Sequence, residues 1–147
     1  QRIKKPILVK VSPDLTFEAL DDLLRVCREH EVDGIIATNT TIERTLVSSE
    51  LSEPGGLSGI PLRAKSTEII RYLHRKDPML PIIGVGGVFT AEDAYEKIQA
   101  GATLVQVYTG FVFEGPLMVK RVNKGLIALL KRDGFKNIKD AVGSRAH

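Results

Sequence analysis

The sequence predicts an α/β fold with a parallel β-sheet. One pattern recurs four times along the 147 residues: a short apolar run, a polar or glycine-rich loop, and an amphipathic helix. The apolar runs are continuous and rich in Val and Ile, which is typical of parallel strands buried on both faces. The strict alternation predicts parallel strands joined by right-handed crossovers. No linker divides the chain, so we expect one domain over residues 1–147 and no second domain.

Four strands and four helices are predicted. The strands are the four apolar runs, at Ile7–Val11, Gly34–Ala37, Pro81–Val85 and Thr103–Tyr108. The helices are the amphipathic stretches that follow them, at about Thr16–His30, Leu62–Arg75, Ala91–Ala100 and Pro116–Arg132.

Residues with known positional preferences support these helix ends. Thr16 is a suitable N-cap for the first helix, and Pro61 suits the first turn of the second. Thr90 and Asp93 resemble a capping box at the start of the third, and Gly101 stands where a C-terminal glycine belongs.

Composition excludes several classes of protein. Aromatic residues make up only 5% and Trp is absent, so a base-stacking nucleic-acid surface is not expected. The net charge of +3 is too small to indicate a nucleic-acid partner. Basic residues gather near the C-terminus, where we expect a solvated helix face: Lys120, Arg121, Lys124, Lys131, Arg132, Lys136 and Lys139.

The lengths of the apolar runs and the cysteine count indicate in which cellular compartment the protein is expected. No apolar run approaches the roughly 20 residues of a membrane helix. Cys27 is the single cysteine, which excludes an internal disulfide and a multi-cysteine metal site; we expect a buried helix residue in a reduced, cytosol-facing protein. His30, His74 and His147 are expected at the surface. The chain opens almost directly into a strand without Met, so we expect the gene product to begin further upstream.

Two closures of the sheet fit this order of elements. One is an open, doubly wound sheet, and the other is a (β/α)₈ barrel, which takes about 250 residues and eight units. Four units in 147 residues are half a barrel by count. Topology alone leaves both open, and in both of them ligands bind at the carboxyl ends of the strands.

The first two strand ends carry polar side chains. Lys10 lies between Val9 and Val11, so it points to the opposite face and needs an anionic partner if that face is buried. The alternative is a lysine on the outside of an edge strand. Residues 38–41, Thr-Asn-Thr-Thr, could bind a flat polar ligand or form a turn. The irregular stretch 42–60 exceeds the usual 12–15 residues, as lids and binding loops do.

The last two strand ends carry glycines. Gly84-Val85-Gly86-Gly87-Val88 precedes a helix N-terminus, where free backbone N–H groups can bind an anion. Residues 108–111, Tyr-Thr-Gly-Phe, follow the fourth strand. Two successive glycine-bearing loops of this kind are typical of a barrel phosphate site, and they predict a phosphorylated ligand whose other end lies near Lys10 and Asn39.

These motifs resemble one family. Taken together, ILVKVSPD, GIIATNTT, GGLSGIPL, PIIGVGGV and LVQVYTGF resemble the C-terminal half of dihydroorotate dehydrogenase, in its class 2, quinone-linked, membrane-associated branch. The resemblance covers nearly the whole chain. It implies a (β/α)₈ TIM barrel that carries FMN, of which this chain supplies about the last four βα units.

The resemblance also implies roles for particular residues. Lys10 would contact the flavin ring, where a fixed cation favours the negative charge of the reduced cofactor. Asn39 and Thr40 would bind the pyrimidine substrate. The remaining FMN contacts would come from Thr38, Gly59, Gly87, Tyr108 and Thr109, with the backbone near Gly87 and Thr109 on the phosphate.

The implied reaction oxidises dihydroorotate to orotate in pyrimidine biosynthesis, with a hydride passing to FMN and then to a quinone. The resemblance places the catalytic base, a serine, in the first half of the barrel and the peripheral membrane-docking and quinone segment before it. We expect both outside this sequence, so no catalytic residue and no metal ligand is assigned here, and the isolated chain is expected to be inactive.

Two alternatives stay open. The chain could be a non-catalytic half-barrel that binds a phosphorylated ligand or self-associates through its open edges. It could also belong to another FMN barrel oxidoreductase, such as a dihydropyrimidine dehydrogenase domain or a dihydrouridine synthase. The TNTT and GGLSG pair favours the dihydroorotate enzyme.

Overall fold

A computed structural model describes residues 5–45, 47 and 54–147. Strands and helices alternate in the predicted order. The strands are β1 Leu8–Val11, β2 Gly34–Ala37, β3 Ile82–Val85 and β4 Leu104–Gln106. The helices are α1 Phe17–Glu29, α2 Arg63–Lys76, α3 Ala91–Ala100, α4 Thr109–Glu114, α5 Leu117–Arg132 and α6 Ile138–Ala141, and a 3₁₀ turn at Ile60–Leu62 leads into α2.

The four strands form one parallel sheet in the order β1-β2-β3-β4. Its register places Lys10 beside Ile36, Ile36 beside Ile83, and Ile83 beside Leu104. These residues form a row across one face of the sheet. Neighbouring strands follow one another in sequence, so every crossover advances in the same direction, as in a (β/α)₈ barrel.

Only one face of this sheet is covered, so the expectation of strands buried on both faces is wrong for the described residues. Val11, Ile35 and Ile82 are at most 1% exposed and pack in a core with side chains of α1 and α2. On the opposite face Leu8 is 40% and Leu104 61% exposed. Four βα units place their helices on one side, and the uncovered side corresponds to the interior of a barrel.

The predicted helix starts are confirmed for α1 and α3. Thr16 accepts a hydrogen bond from the Ala19 N–H, as an N-cap does. Thr90 and Asp93 form a reciprocal capping box at the start of α3. Cys27 is buried at 3% exposure, as expected.

Two helices were missed in the sequence. Residues 108–111 were expected to be a glycine-bearing loop, but Thr109–Glu114 form α4. Glycine, aromatic and β-branched residues have low helix propensity, so the segment itself does not indicate this helix. Gly115 then ends α4 with a φ of +72°. The four-residue α6 begins at a capping box made by Asn137 and Asp140.

Exposure agrees with most surface predictions. All seven basic residues gathered near the C-terminus are exposed, as are His30 and His147. His74 is the exception: it is half-buried against Gly101 and Gly143, where an added Cβ would overlap its ring. Among the described residues, no helix has the length and apolar character to cross a bilayer, and no three His, Cys, Asp or Glu side chains cluster as a metal site would require.

Candidate functional site

A pocket lies at the carboxyl ends of the four strands. Its cavity volume is about 260 Å³, and its walls come from Lys10 on β1, from the ends of β3 and β4, and from the segments that follow β2, β3 and β4. All eight residues expected from the sequence to bind cofactor or substrate line it: Lys10, Thr38, Asn39, Thr40, Gly59, Gly87, Tyr108 and Thr109. Segments from residue 10 to residue 109 therefore converge because parallel strands end at one edge of the sheet.

In the described residues Lys10 matches the edge-strand alternative, and it also lies at the pocket. It lies on β1, an edge strand of the described sheet, and its side chain is exposed on the uncovered face. It also lines the pocket together with Gly87 and Thr109. Lys10 forms no ion pair within residues 5–45, 47 and 54–147, so its ammonium group is available to an anionic or electron-rich ligand.

The turn after β2 is held by hydrogen bonds that leave the Asn39 Nδ2 group available. Thr38 N–H donates to the Val85 carbonyl at 2.9 Å, and Asn39 N–H donates to the Val11 carbonyl at 2.7 Å. The Asn39 Oδ1 accepts from Thr40 N–H at 2.9 Å. With Oδ1 engaged, the Nδ2 group of Asn39 is the part of the amide that can donate to a ligand.

A network of hydrogen bonds and ion pairs around Asp14 stabilises this turn. Asp14 accepts hydrogen bonds from the Thr41 hydroxyl and the Ile42 N–H, and it forms a 3.0 Å ion pair with Lys65. Burial alone would raise the pKa of Asp14, but these donors outweigh burial and lower it. Lys65 also pairs with Glu43 at 2.7 Å. The network therefore ties the segments after β1 and β2 to helix α2.

The long segment after β2 returns to the pocket. Thr41 and Leu57 form an antiparallel bridge through two backbone hydrogen bonds of 3.1 and 2.7 Å. Beyond it, the Ser58 Oγ accepts a hydrogen bond from the Thr109 hydroxyl at 2.9 Å. Gly59 follows with a φ of +83° and is buried. Residue 46 and residues 48–53 lie outside the described residues, so the expectation of a lid there stays a prediction.

The two glycine loops pack against each other and against α2. Gly87 has a φ of +67°, and a Cβ added there would lie 2.8 Å from the Arg63 Cα. A Cβ added at Gly110 would overlap the Val88 carbonyl oxygen. Glycine is therefore required at both positions for the loops to approach so closely.

Backbone N–H groups in these loops are available for an anion. Within the described residues, the N–H groups of Gly87, Val88, Thr109 and Gly110 donate no hydrogen bond to the protein. Free amide donors in neighbouring loops are the usual means of binding a phosphate.

The N-terminus of α3 contributes less to this anion site than the sequence suggested. The Asp93 carboxylate accepts from the N–H groups of Phe89 and Thr90, at 3.0 and 2.9 Å, and the Thr90 hydroxyl accepts from the Asp93 N–H. Burial would raise the pKa of Asp93, but these donors and the Arg63 guanidinium lower it. The Asp93 and Thr90 side chains thus occupy the N–H groups of Phe89, Thr90 and Asp93, which a ligand could otherwise bind.

Several pocket residues were not predicted from the sequence. Ser58 stands inside the GGLSG motif but was not singled out, and Gln106 lies at the end of β4. The signal for Gln106 was present: it is a polar residue between Val105 and Val107, the same pattern that marked Lys10. The apolar parts of the wall, including Leu62 and Val85, carry no sequence signal that separates them from the core.

The electrostatics of the pocket favour an anionic ligand. Among the described residues that line it, Lys10 is the charged one, and the others offer amide, hydroxyl or apolar groups. No carboxylate lines the described wall. A ligand with a phosphate at the glycine loops and a planar polar part near Lys10 and Asn39 matches this distribution of donors.

The fold and the pocket together define a class of protein. Parallel βα units that hold anion-binding loops at their last two strand ends are typical of (β/α)₈ barrel proteins with phosphorylated ligands. The family model for dihydroorotate dehydrogenase matches residues 1–130. The chain belongs to the dihydroorotate dehydrogenase family.

Curated relatives support this assignment. The chain is 52% identical over 143 residues to the dihydroorotate dehydrogenase (quinone) of Gloeobacter violaceus, with 97% of this chain covered. It is also 52% identical over 141 residues to the protein of that name from Halobacterium salinarum, with 95% covered. In both comparisons the chain spans 40% of the length of the relative.

Solved structures agree in fold. The ligand-free dihydroorotate dehydrogenase of Eimeria tenella superposes with a TM-score of 0.87 at 41% identity, covering 93% of this chain and 39% of that one. The Eimeria tenella protein in complex with ferulenol superposes with a TM-score of 0.89 at 42% identity, covering 98% of this chain and 39% of the other. The described sheet is thus part of a (β/α)₈ barrel.

Proposed function

We propose that residues 1–147 are the C-terminal half of a quinone-linked dihydroorotate dehydrogenase. The complete enzyme would oxidise dihydroorotate to orotate and pass the electrons through FMN to a quinone. One observation carries this proposal: eight residues expected to bind FMN or substrate converge on one pocket whose described wall holds a lysine and no carboxylate.

The residues present fit FMN. The free N–H groups of the Gly87 and Thr109 loops suit its phosphate, and Lys10 supplies a cation for the ring system. Gly59 brings the backbone of the second loop to the same wall, while Thr38 and Tyr108 complete the lining. FMN supplies the hydride acceptor of the reaction when it is bound.

Asn39 and Thr40 suit a pyrimidine substrate. The Asn39 Nδ2 can donate to a ring carbonyl or carboxylate oxygen, and the Thr40 hydroxyl can donate or accept. Their positions beside Lys10 in the pocket wall would hold the substrate against the cofactor ring. Correct placement of two reactants is itself a large part of a catalytic effect.

The base that removes the substrate proton would come from outside these 147 residues. Ser58 and Thr109 line the pocket, but their hydroxyls bond to each other, and no His, Asp or Glu lines the described wall to accept their protons. We place the quinone site and the peripheral membrane contact in the remaining part of the polypeptide as well.

The test of this function uses the complete barrel. Joining this chain to the preceding part of the Gloeobacter violaceus relative should give a yellow protein that reduces a dye in the presence of dihydroorotate. Lys10→Ala should lower that turnover at least tenfold, because it removes a charged contact of roughly 1.5–3 kcal/mol. Lys5→Ala, at an exposed lysine just before β1, is the matched control. Normal turnover by the Lys10→Ala variant would contradict the proposed site.

Substrate choice separates the proposed enzyme from other FMN barrels. Dihydroorotate should be oxidised, while dihydrouracil and dihydrouridine-containing RNA should not be substrates. The net charge of +3 also gives little support to an RNA substrate.

A second candidate is a non-catalytic half-barrel that self-associates. The observation that favours it is the uncovered sheet face, with Leu8 and Leu104 exposed. A reconstituted barrel that binds no flavin, together with tight self-association of the 147-residue chain, would favour this candidate.

A further inference from the structure

Lys97 is a fully buried lysine without a carboxylate partner at hydrogen-bond distance in the described part of the chain. It lies on α3 and is 0% exposed. Its Nζ donates to the Ser66 Oγ and the Thr67 Oγ1, both at 3.1 Å, and to the Arg63 carbonyl oxygen at 3.5 Å. A buried ammonium is costly, so a structure that keeps one in this place implies a use for its hydrogen bonds.

The first of these bonds leads directly to the pocket wall. The Ser66 hydroxyl, which accepts from Lys97, donates to the Val85 carbonyl oxygen at 2.7 Å. The same carbonyl accepts from the Thr38 N–H at 2.9 Å. Val85 is the last residue of β3 and precedes Gly86 and the free N–H of Gly87. The Lys97–Ser66 pair therefore fixes the point at which the strand becomes the glycine loop.

Ser66 and Arg63 of α2 pack closely against the glycine loop, so they restrict its position. A Cβ added at Gly86 would lie 2.9 Å from the Ser66 Cβ, so Ser66 sits directly against the loop. Gly87 lies against the backbone of Arg63, whose carbonyl also faces Lys97. The loop is thus held between its own strand and the first turn of α2, and the Lys97–Ser66 hydrogen bond links that turn to α3.

We infer that Lys97 is a positioning residue that, through Ser66 and the Val85 carbonyl, holds the 85–88 loop in the shape that binds a phosphate. The inference rests on the proposed function, since it assigns this loop to the phosphate of FMN. Lys97 does not line the pocket, so it acts on the phosphate end of the ligand by orienting the loop and not by contact.

The charge state of Lys97 is consistent with this role. Burial lowers its pKa to about 8; the nearby carboxylates of Glu96 and Asp93 partly offset burial, and the Arg63 guanidinium adds to the lowering. At pH 7 the amine is therefore mainly protonated and can donate to all three oxygen atoms.

The experiment compares the affinities of FMN and riboflavin, which lacks the phosphate, for the full-length polypeptide. Lys97→Met should weaken FMN binding about tenfold, the effect of one lost buried hydrogen bond, and leave riboflavin binding within twofold. Ser66→Ala should act in the same way, and the double variant should be no weaker than the worse single variant, because both changes break one chain of bonds. Thr67→Ala is the matched control: it removes a Lys97 contact with no link to Val85, so FMN binding should stay within twofold.

The outcomes separate the two proposals. Wild-type protein that binds neither flavin overturns the proposed function. Wild-type protein that binds FMN, with Lys97→Met unchanged or weakened equally for both flavins, overturns the positioning role alone. If Lys97→Met fails to fold, Ser66→Ala decides: unchanged FMN affinity overturns the inference, and a selective loss for FMN supports it.

Discussion

Single residues determine whether the glycine loop can form. Gly87 combines a φ of +67° with a backbone contact to Arg63 that leaves no space for a side chain. Left-handed backbone costs a non-glycine residue roughly 1–2 kcal/mol, and the contact adds to that cost. The residue is thus constrained twice, by conformation and by packing.

Gly87→Ala should therefore abolish FMN retention and lower the melting temperature of the full-length polypeptide. Gly134→Ala is the matched control, because Gly134 has a similar φ of +78° but no heavy atom within 4 Å of an added Cβ. The control should lose stability through backbone strain alone and keep its FMN. Flavin absorbance and thermal unfolding measure both effects, and equal FMN loss in the two variants would contradict the packing argument.

Sequence patterns predict the charged side chains of the pocket better than they predict the apolar residues of its wall. Lys10 stands out because a charged residue interrupts an apolar strand, and the structure places it in the pocket. Gln106 also interrupts an apolar strand, but it was not predicted, because a neutral polar side chain is a weaker signal of a ligand site than a charged one. Leu62 and Val85 could not be predicted, since an apolar residue in a pocket wall has the same signature as one in the core.

Helix α3 links fold stability to the site. Its capping box begins one residue after Phe89 and two after Val88, which lines the pocket. The helix start therefore fixes the end of the glycine loop. Such caps contribute about 1 kcal/mol each to stability.

Thr90→Ala should cost about 1 kcal/mol in free energy of unfolding and also weaken FMN binding severalfold, because it loosens the loop that precedes α3. Thr16→Ala removes the corresponding cap of α1, away from the pocket, and should cost similar stability with unchanged FMN affinity. Denaturant unfolding and flavin titration test this pair. Equal FMN affinities in the two variants would show that the α3 cap does not support the loop.

Low pH should weaken the capping box of α3 and so lower the free energy of unfolding. The folded pKa of Asp93 lies below its ordinary value, so its stabilising effect is complete above the ordinary carboxyl range, near pH 4, and is lost as pH falls through the folded pKa. Asp93→Asn should remove part of the acid-dependent loss of stability seen by urea unfolding between pH 6 and 3. An identical pH dependence in the wild type and the variant would contradict this account.

Helices whose starts are fixed by hydrogen bonds of their own residues were predicted correctly. A helix that packs mainly against other elements was not predicted. Thr16 and the Thr90–Asp93 pair mark helix starts by their own hydrogen bonds, so α1 and α3 were predicted closely. Helix α4 has a glycine and two phenylalanines among six residues, and it packs against α5 and the Val88 loop. Neither contact can be deduced from the segment itself.

One face of the β-sheet is covered by helices, and the other face is open in the described residues. The helix-covered face has a buried core, whereas the row Lys10, Ile36, Ile83 and Leu104 crosses a face that no described element covers. Large exposed apolar areas on a sheet favour association. The barrel fold of the family explains this asymmetry, since the row would face the interior of a closed barrel.

The isolated 147-residue chain should therefore form dimers or larger assemblies in light scattering. Leu104→Glu places a charge in the middle of the open face and should shift the chain toward monomer. Ile127→Glu, at a 56% exposed position on α5, is the control and should not. A wild-type chain that stays monomeric at high concentration would contradict the half-barrel interpretation.

The identity and amount of flavin released from the full-length polypeptide test the central claim most directly. Heat denaturation of the purified protein, followed by chromatography, should release one FMN per chain. A protein that is colourless and does not take up added FMN, or that releases FAD in its place, would contradict the proposed pocket.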